Sequence, residues 1–162
     1  MKDWLLKQFE WLNKVELIEL DEIDPSEDPV RPELDNWFRH QYGRKVFGLK
    51  DGDEIAAVMC FAFTNDVPAD IKELDEFSKD AFTQAIHREG MQGTIAIAYT
   101  VWSKKKGGGK KIVREVYKMI KKSSHLNRLV TLSPLTDMAR KFHLKNGAKE
   151  LRVNKTTVNF EY

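Results

Sequence analysis

The sequence predicts an α/β fold, a mixed central sheet flanked by helices. Three observations lead there. Strand-like apolar stretches alternate with amphipathic helical ones along the chain. Arg44–Leu49 and Glu54–Thr64, joined through the turn Asp51–Gly52, carry a strong hairpin signature. Gly93–Gly147 reads strand, glycine loop, helix, strand, helix in that order, and this block is the most diagnostic part of the chain.

Taken in order, Asp3–Leu12 reads as a short helix, with Trp4, Leu5, Gln8, Phe9 and Leu12 near helical spacing. Val15–Leu20 has the looser alternation of a strand. Pro25, Pro29 and Pro32 make the next stretch turn-rich. Pro32–Tyr42 is expected to be helical, with Pro32 at an allowed early position and Leu34, Trp37, Phe38 and Tyr42 apolar. In the hairpin, Glu54–Thr64 is almost wholly apolar, as a strand covered on both faces requires. Asp70–Glu89 spaces Ile71, Leu74, Phe77, Phe82 and Ile86 as a long helix, with a break expected near Ser78. Gly93–Trp102 is a strand of Ile, Ala, Tyr, Thr and Val, and Ser103–Lys111 then holds three consecutive glycines. In Lys110–Lys122 the apolar residues Ile112, Val113, Val116, Tyr117 and Ile120 form the stripe of an amphipathic helix. Arg128–Leu132 reads as a short buried strand, and Thr136–Lys145 as a helix closed by Asn146–Gly147. Ala148–Val153 and Thr156–Tyr162 are two closing strands around Asn154–Lys155.

A chain of 162 residues is expected to form one domain, 1–162, with a core that needs no staples. Its balance of 41% apolar and 32% charged residues excludes a disordered chain. Cys60 is the only cysteine and lies inside the apolar run Ile55–Phe63. That rules out an internal disulfide and a multi-cysteine zinc site, and points to a reducing, cytoplasmic setting. No apolar stretch reaches membrane-spanning length, and Met1–Leu12, carrying Asp3 and Glu10, lacks the pattern of a secretory signal. Neither a membrane nor a metal is therefore expected as a partner. The net charge of +2 does not call for nucleic acid either, but its distribution is uneven. Acidic residues gather in Leu17–Glu33; basic ones gather in Lys104–Lys122. A local basic stretch beside glycines points to a local anion such as a phosphate.

A strand that ends in glycines and restarts as a helix aims several backbone N–H groups at one point, because the first helical turn has no internal partners for them. The helix dipole adds partial positive charge there, and phosphate binds well at such a terminus. Gly107, Gly108 and Gly109 would let a diphosphate approach the backbone closely. A Walker loop is excluded: Gly109-Lys110 is followed by Lys111 rather than Ser or Thr, and Lys104 stands where the first glycine belongs. A dinucleotide fingerprint fails as well, since Ile112 occupies its third glycine position. A plain flexible turn on a basic surface is the bland alternative.

Lys104-Lys105-Lys106-Gly107-Gly108-Gly109 resembles the cofactor loop [RQ]-x-x-G-x-[GA] of the GNAT superfamily of N-acetyltransferases, with Lys104 in place of Arg or Gln. A second motif follows in register. GNAT enzymes carry N-x-x-A-x-x-[FL]-Y-x-[KR]-x-G-F on the penultimate helix, and Ala139, Phe142, Lys145 and Gly147 match it. Thr136 stands for Asn, His143 for Tyr and Ala148 for Phe. The resemblance covers Arg44 to Tyr162 and implies the acyl-CoA N-acyltransferase fold, in which two parallel strands splay into a V-shaped cleft. Those strands would end near Trp102 and Ser133. Residues 65–92 would then be an insertion before the cofactor-binding strand, expected to border the acceptor site.

The same resemblance implies acetyl-CoA, or another acyl-CoA, as co-substrate and a small-molecule or peptide amine as acceptor. The diphosphate would lie on the turn formed by Lys104, Lys106, Gly107, Gly108, Gly109, Lys110 and Lys111. The backbone of Tyr99, Thr100, Val101 and Trp102 would hold the pantetheine and polarise the thioester. Ser133 and Thr136 either bond the pantetheine amides or cap the following helix. Trp102 either walls the channel or packs on the helix after it. The amine attacks the thioester directly, and positioning supplies most of the catalysis. His143 stands where the family often places the tyrosine that protonates the leaving thiolate, work for which an imidazole suits neutral pH. The general base is not readable; His87, Glu89, Asp66 and His40 are the candidates. Two other functions compete: a non-catalytic acyl-CoA-binding module, and a basic interaction protein using Lys104–Lys122 on nucleic acid. A homodimer is left open.

Overall fold

The computed structural model describes residues 15–88 and 90–162. The helix expected over Asp3–Leu12, with Trp4 and Trp11, lies outside the described residues, and so does Glu89. Eight strands form one sheet: β1 (Val15–Glu19), β2 (Lys45–Asp51), β3 (Glu54–Thr64), β4 (Ile95–Ser103), β5 (Arg128–Thr131), β6 (Ser133–Pro134), β7 (Lys149–Val153) and β8 (Thr157–Glu161). Their order is β1-β2-β3-β4-β5-β8-β6, with β7 also paired to β8. The β4–β5 pair is parallel, and the other pairs are antiparallel. Among the described residues, four α-helices flank the sheet: α1 (Asn36–His40), α2 (Ile71–His87), α3 (Gly108–Lys122) and α4 (Asp137–Lys145).

The apolar run of β3 is explained by burial on both faces. Val58, Cys60 and Ala62 pack on one side against Leu34 and Leu74, which come from the chain around α1 and from α2. Ala57, Met59 and Phe61 pack on the other side against Ile112, Val113, Val116 and Ile120 of α3. The stripe read from the α3 sequence is thus its buried face, while Tyr117 at the edge of that stripe stays 38% exposed.

Three elements differ from the sequence expectation. The helix over Pro32–Tyr42 shrinks to the five residues of α1, because the Asp35 carboxylate accepts the Phe38 amide at 2.8 Å and caps the helix only there. Tyr42, at φ +51°, turns the chain out of helical geometry, and Trp37 is 67% exposed rather than packed. α2 runs unbroken through Ser78, which is fully buried. Its hydroxyl donates back to the Asp75 carbonyl at 3.2 Å and accepts Arg44 Nη2 at 2.8 Å, so the helix absorbs the polar group without a kink. The strand expected over Arg128–Leu132 ends at Thr131, and Ser133–Pro134 pairs separately with β8.

Candidate active site

The parallel pairing of β4 with β5 runs from Ile95↔Arg128 to Ala98↔Thr131 and then stops. A last bond, from the Leu132 amide to the Ala98 carbonyl at 2.9 Å, marks the fork. The β3–β4 register shifts at the same level: Cys60 faces Thr100 and Phe61 faces Ala98, so Tyr99 is the extra residue of a bulge. A bulge bends its strand and increases the local twist. β4 therefore follows β3 to Ser103, while the chain after β5 turns to β8. Between them opens a cleft of about 560 Å³, lined by β4 from Ala98 to Ser103 and by Leu132, Ser133 and Pro134.

One wall of this cleft comes from the acidic, proline-rich stretch. Pro29 and Val30 line it, held by a buried ion pair beneath. Asp28 and Arg39 are both buried, with Oδ2 and Nη1 2.9 Å apart. Asp28 also accepts the amides of Val30 (2.8 Å) and Arg31 (3.1 Å) and the Thr100 hydroxyl (2.8 Å). Arg39 donates further to the carbonyls of Leu34 and Arg31, each at 2.9 Å. Arg31 then spans the fork itself, donating through Nε to the Tyr99 carbonyl at 2.9 Å and through Nη2 to that of Leu132 at 3.1 Å.

At the end of β4 the chain turns through Gly107, whose φ of +80° favours glycine, into α3. Ala56 accepts the amides of Lys104 (2.7 Å) and Lys105 (3.0 Å), Lys105 accepts that of Gly108 (2.9 Å), and the Ser103 hydroxyl accepts that of Gly109 (2.9 Å). Among the described residues, the amides of Lys106, Gly107 and Lys110 have no such partner. Lys104 pairs with Glu27 at 3.1 Å, Lys105 with Glu54 at 3.0 Å and Lys111 with Asp51 at 3.4 Å, leaving Lys106 and Lys110 unpaired among the described residues.

The structure brings Tyr99, Thr100, Val101, Trp102, Gly109, Ser133, Thr136 and His143 together around the cleft. Lys104, Lys106, Gly107 and Lys111 lie on the turn outside that lining, Gly108 is buried against β3, and Lys110 lines a separate groove. Trp102 lines the cleft, but it does not pack on the helix after it: its ring lies in the core cluster with Leu34, Leu74 and Leu132, on the side of the sheet away from α3, with the Arg39 guanidinium 5.8 Å from its centroid. Thr136 caps α4 through a 3.2 Å bond from the Ala139 amide, and the Ser133 hydroxyl shares a 2.8 Å bond with Thr131. Of the base candidates, His40 has its ring nitrogens on the carbonyls of Asn36 (2.8 Å) and Leu20 (3.0 Å), and neither it nor His87 nor Asp66 lines the cleft.

His143 is buried on α4, stacked on Phe160, with Nδ1 2.7 Å from the Tyr162 hydroxyl. Burial pushes its pKa down to about 4. At pH 7 roughly one imidazole in a thousand is charged, so the cationic acid expected from the sequence is absent. With Nδ1 on Tyr162, Nε2 is the ring nitrogen left for the cleft. If the phenol donates to Nδ1, the neutral ring presents an Nε2–H donor there. The burial has a stability consequence. The unfolded chain takes up this proton below its ordinary pKa near 6.5, and the folded one only near 4. Folding stability therefore falls as pH drops through that window, by about 3 kcal/mol in full. Urea unfolding between pH 7 and pH 4 is expected to show this loss in the wild type and a shallower one in His143→Phe. Equal slopes would contradict it.

No protein-family model and no curated protein sequence matches the chain. Solved structures do. The malonyl-CoA decarboxylase of Cupriavidus metallidurans superposes with a TM-score of 0.61 at 14% identity, over 99% of this chain and 64% of that one. This chain thus spans less than two thirds of the decarboxylase. A Bacillus subtilis acetyltransferase solved in complex with CoA gives 0.60 at 12% identity, over 91% and 97% of the two chains. A GNAT family acetyltransferase from Elizabethkingia anophelis with acetyl-CoA bound gives 0.57 at 9% identity, over 91% and 96%.

The chain has the GNAT fold. Residues 65–92 join β3 to β4 through α2 and do not line the cleft. Leu74 is buried in the core, and the Asn159 side chain donates to the Pro68 carbonyl at 3.0 Å, so this segment packs on the sheet. Among the described residues of this GNAT fold, no helix is long and apolar enough to cross a membrane, and no cluster of His, Cys, Asp or Glu could hold a metal.

Proposed function

We propose that this chain is an acyl-CoA-dependent N-acyltransferase, acetyl-CoA being the simplest donor, acting on a small-molecule or peptide amine. One observation carries the reading: the cleft opened by the β4–β5 fork borders, through Ser103 and Gly109, a helix start with three unpartnered amides. Those amides, with the ammonium groups of Lys106 and Lys110, suit a diphosphate. Beyond Ala98 the pairing of β4 with β5 has ended and the Tyr99 carbonyl is held by Arg31, so the edge of β4 from Thr100 to Trp102 has no strand neighbour on the β5 side and suits a pantetheine chain lying along it. The cleft's largely apolar wall, from Val30, Val101, Leu132, Met138 and Phe142, suits the methylenes between the amides.

In the proposed reaction a neutral amine attacks the thioester carbon. The C–N bond forms, the C–S bond breaks, the amine nitrogen gives up one proton and the thiolate takes one. His143, neutral, serves by donating an Nε2–H hydrogen bond to the departing sulfur rather than by releasing its own proton. Cys60, fully buried with its thiol pKa pushed up to about 11 by burial, is a poor nucleophile; direct attack needs no covalent enzyme intermediate. A cytoplasmic setting accords with this lone reduced thiol.

The test is calorimetry with acetyl-CoA followed by thiol release across a panel of amines. Binding with release on at least one amine is expected. Binding without release on any amine would make the chain a non-catalytic acyl-CoA-binding module, and absence of binding would end the reading.

A further inference from the structure

A cation stands at the fork with no acid paired to it. The Arg31 carbonyl accepts Arg39, whose other end meets Cys60, so Arg31 lies on the side of the sheet away from α3. From there its guanidinium spans the two strands, with Nε on the Tyr99 carbonyl at 2.9 Å and Nη2 on that of Leu132 at 3.1 Å. Nε and Nη2 make up one edge of the guanidinium; Nη1 and the second proton of Nη2 make up another. Nη1 has no hydrogen-bond partner among the described residues. Nor is it sealed off, for the enclosed side-chain atoms without a partner there are the Tyr99 hydroxyl and Trp102 Nε1. The free edge of Arg31 therefore reaches solvent.

Its charge is unbalanced as well. Arg31 makes no ion pair among the described residues. Burial pushes its pKa down, against the smaller pulls of Glu33 and Asp28. Glu33 is exposed to water, and Asp28 is engaged by Arg39, Thr100 and two backbone amides. Two carbonyls need only two donors, which a neutral side chain could supply; a charge half withdrawn from water calls for an anion. A carboxylate fits the planar two-donor edge of a guanidinium bidentately. Arg31 does not line the cleft, and the helix whose first turn suits the diphosphate lies across the sheet from it. An acyl donor laid along β4 from that turn brings its thioester to the fork from one side. The amine meets it from the other, beside Arg31.

We propose that Arg31 is the residue that selects the acceptor, its free edge receiving the carboxylate of an amino acid whose amine is thereby placed at the fork. The proposal rests on the acyl-CoA reading and deepens it by naming the acceptor class. The carboxylate is bound and left unchanged; the C–N bond forms and the C–S bond breaks as in the reaction above. The charge of Arg31 also favours the neutral form of an amine held beside it, which is the form that attacks. A polyamine, carrying only positive charge, is repelled from the same place. A charge-assisted contact of this kind is of a size that changes affinity about tenfold.

Thiol release from acetyl-CoA tests it, with the common α-amino acids each measured against its own carboxamide, and with spermidine. In the wild type at least one amino acid is expected to exceed its carboxamide by about tenfold or more in kcat/KM. In Arg31→Gln that ratio is expected to fall to within about twofold, through a rise in the acceptor KM. Because the ratio is taken within one protein, a general loss of activity cancels from it. A binding measurement on the wild type covers the case of an inactive variant: the acid that lacks the amine, propionate for alanine, is expected to compete with the acceptor and not with acetyl-CoA, while propionamide does neither. Carboxamides or spermidine used as well as amino acids, a preference that survives in Arg31→Gln, or no competition by propionate would each overturn the assignment and leave the acyl-CoA reading standing. An Arg31-dependent preference for succinyl-CoA over acetyl-CoA would overturn it too, by placing the carboxylate on the donor. Failure of the wild type to bind acetyl-CoA would remove both readings.

Discussion

Arg39→Met is expected to destabilise the fold by about 3–5 kcal/mol, the cost of leaving one half of a buried ion pair behind. Both side chains of the Asp28–Arg39 pair are 0% exposed. Removing the guanidinium leaves the Asp28 carboxylate without its counter-ion and strips the carbonyls of Leu34 and Arg31 of their donors. The damage also reaches the cleft, because Asp28 holds the amides of Val30 and Arg31. Arg31 in turn is the side chain that ties Tyr99 to Leu132 across the fork. Replacing both partners, Asp28→Leu with Arg39→Met, is expected to cost less than the single change, since an apolar pair does not need to be neutralised. Urea unfolding of the three proteins measures this. A single variant within about 1 kcal/mol of wild type would show that water reaches the pair and that it does not anchor the wall.

The legible parts of this molecule were those fixed by local pattern. The stripe of α3, the hairpin of β2 and β3 and the glycine turn each depend on residues within a few positions of one another, and each stands where the sequence placed it. The cleft residues from β4, Ser133, Thr136 and His143 came from motifs of the same short range. What escaped notice is long-range. Arg31 reaches carbonyls 68 and 101 residues away, Asp28 meets Thr100 across 72, and His143 meets Tyr162 across 19. In sequence, Asp28 is one acid among several and Arg31 one surface-like cation beside a proline; no periodicity marks them as buried. In sequence the acidic stretch Leu17–Glu33 shows only its charge, although Asp28 in its middle is buried against Arg39 and Thr100. Proline and a polar serine misled in the helices because capping and side-chain bonds, rather than propensity, set where α1 starts and why α2 continues. His143 lines the cleft at the position its motif gives, while the burial against Phe160 that lowers its pKa is a long-range feature no spacing reports.

Gly108→Ala is expected to cost less stability than the loss of Arg39 but to strike the acyl-CoA turn directly, and for a reason the glycine run alone does not reveal. A methyl group at Gly108 would sit 2.2 Å from the Ala56 carbonyl oxygen and 2.9 Å from the Ser103 hydroxyl. The first contact is with backbone in the middle of the sheet, so the strand cannot give way and the start of α3 must move. That same carbonyl accepts the amides of Lys104 and Lys105, and the same hydroxyl accepts the amide of Gly109. One added carbon therefore disturbs the bonds that aim the free amides of the turn. A stability loss of about 1–3 kcal/mol, the scale of overpacking, is expected together with a fall of more than tenfold in acetyl-CoA affinity. Gly107→Ala is the informative contrast. Nothing lies within 4 Å of a β-carbon there, and the cost is the strain of a φ of +80°, about 1 kcal/mol. Thermal unfolding and calorimetry on the two variants separate packing from backbone strain. If Gly107→Ala proves the worse of the pair in both measurements, α3 is not held against β3 in the way its contacts with Ala56 imply.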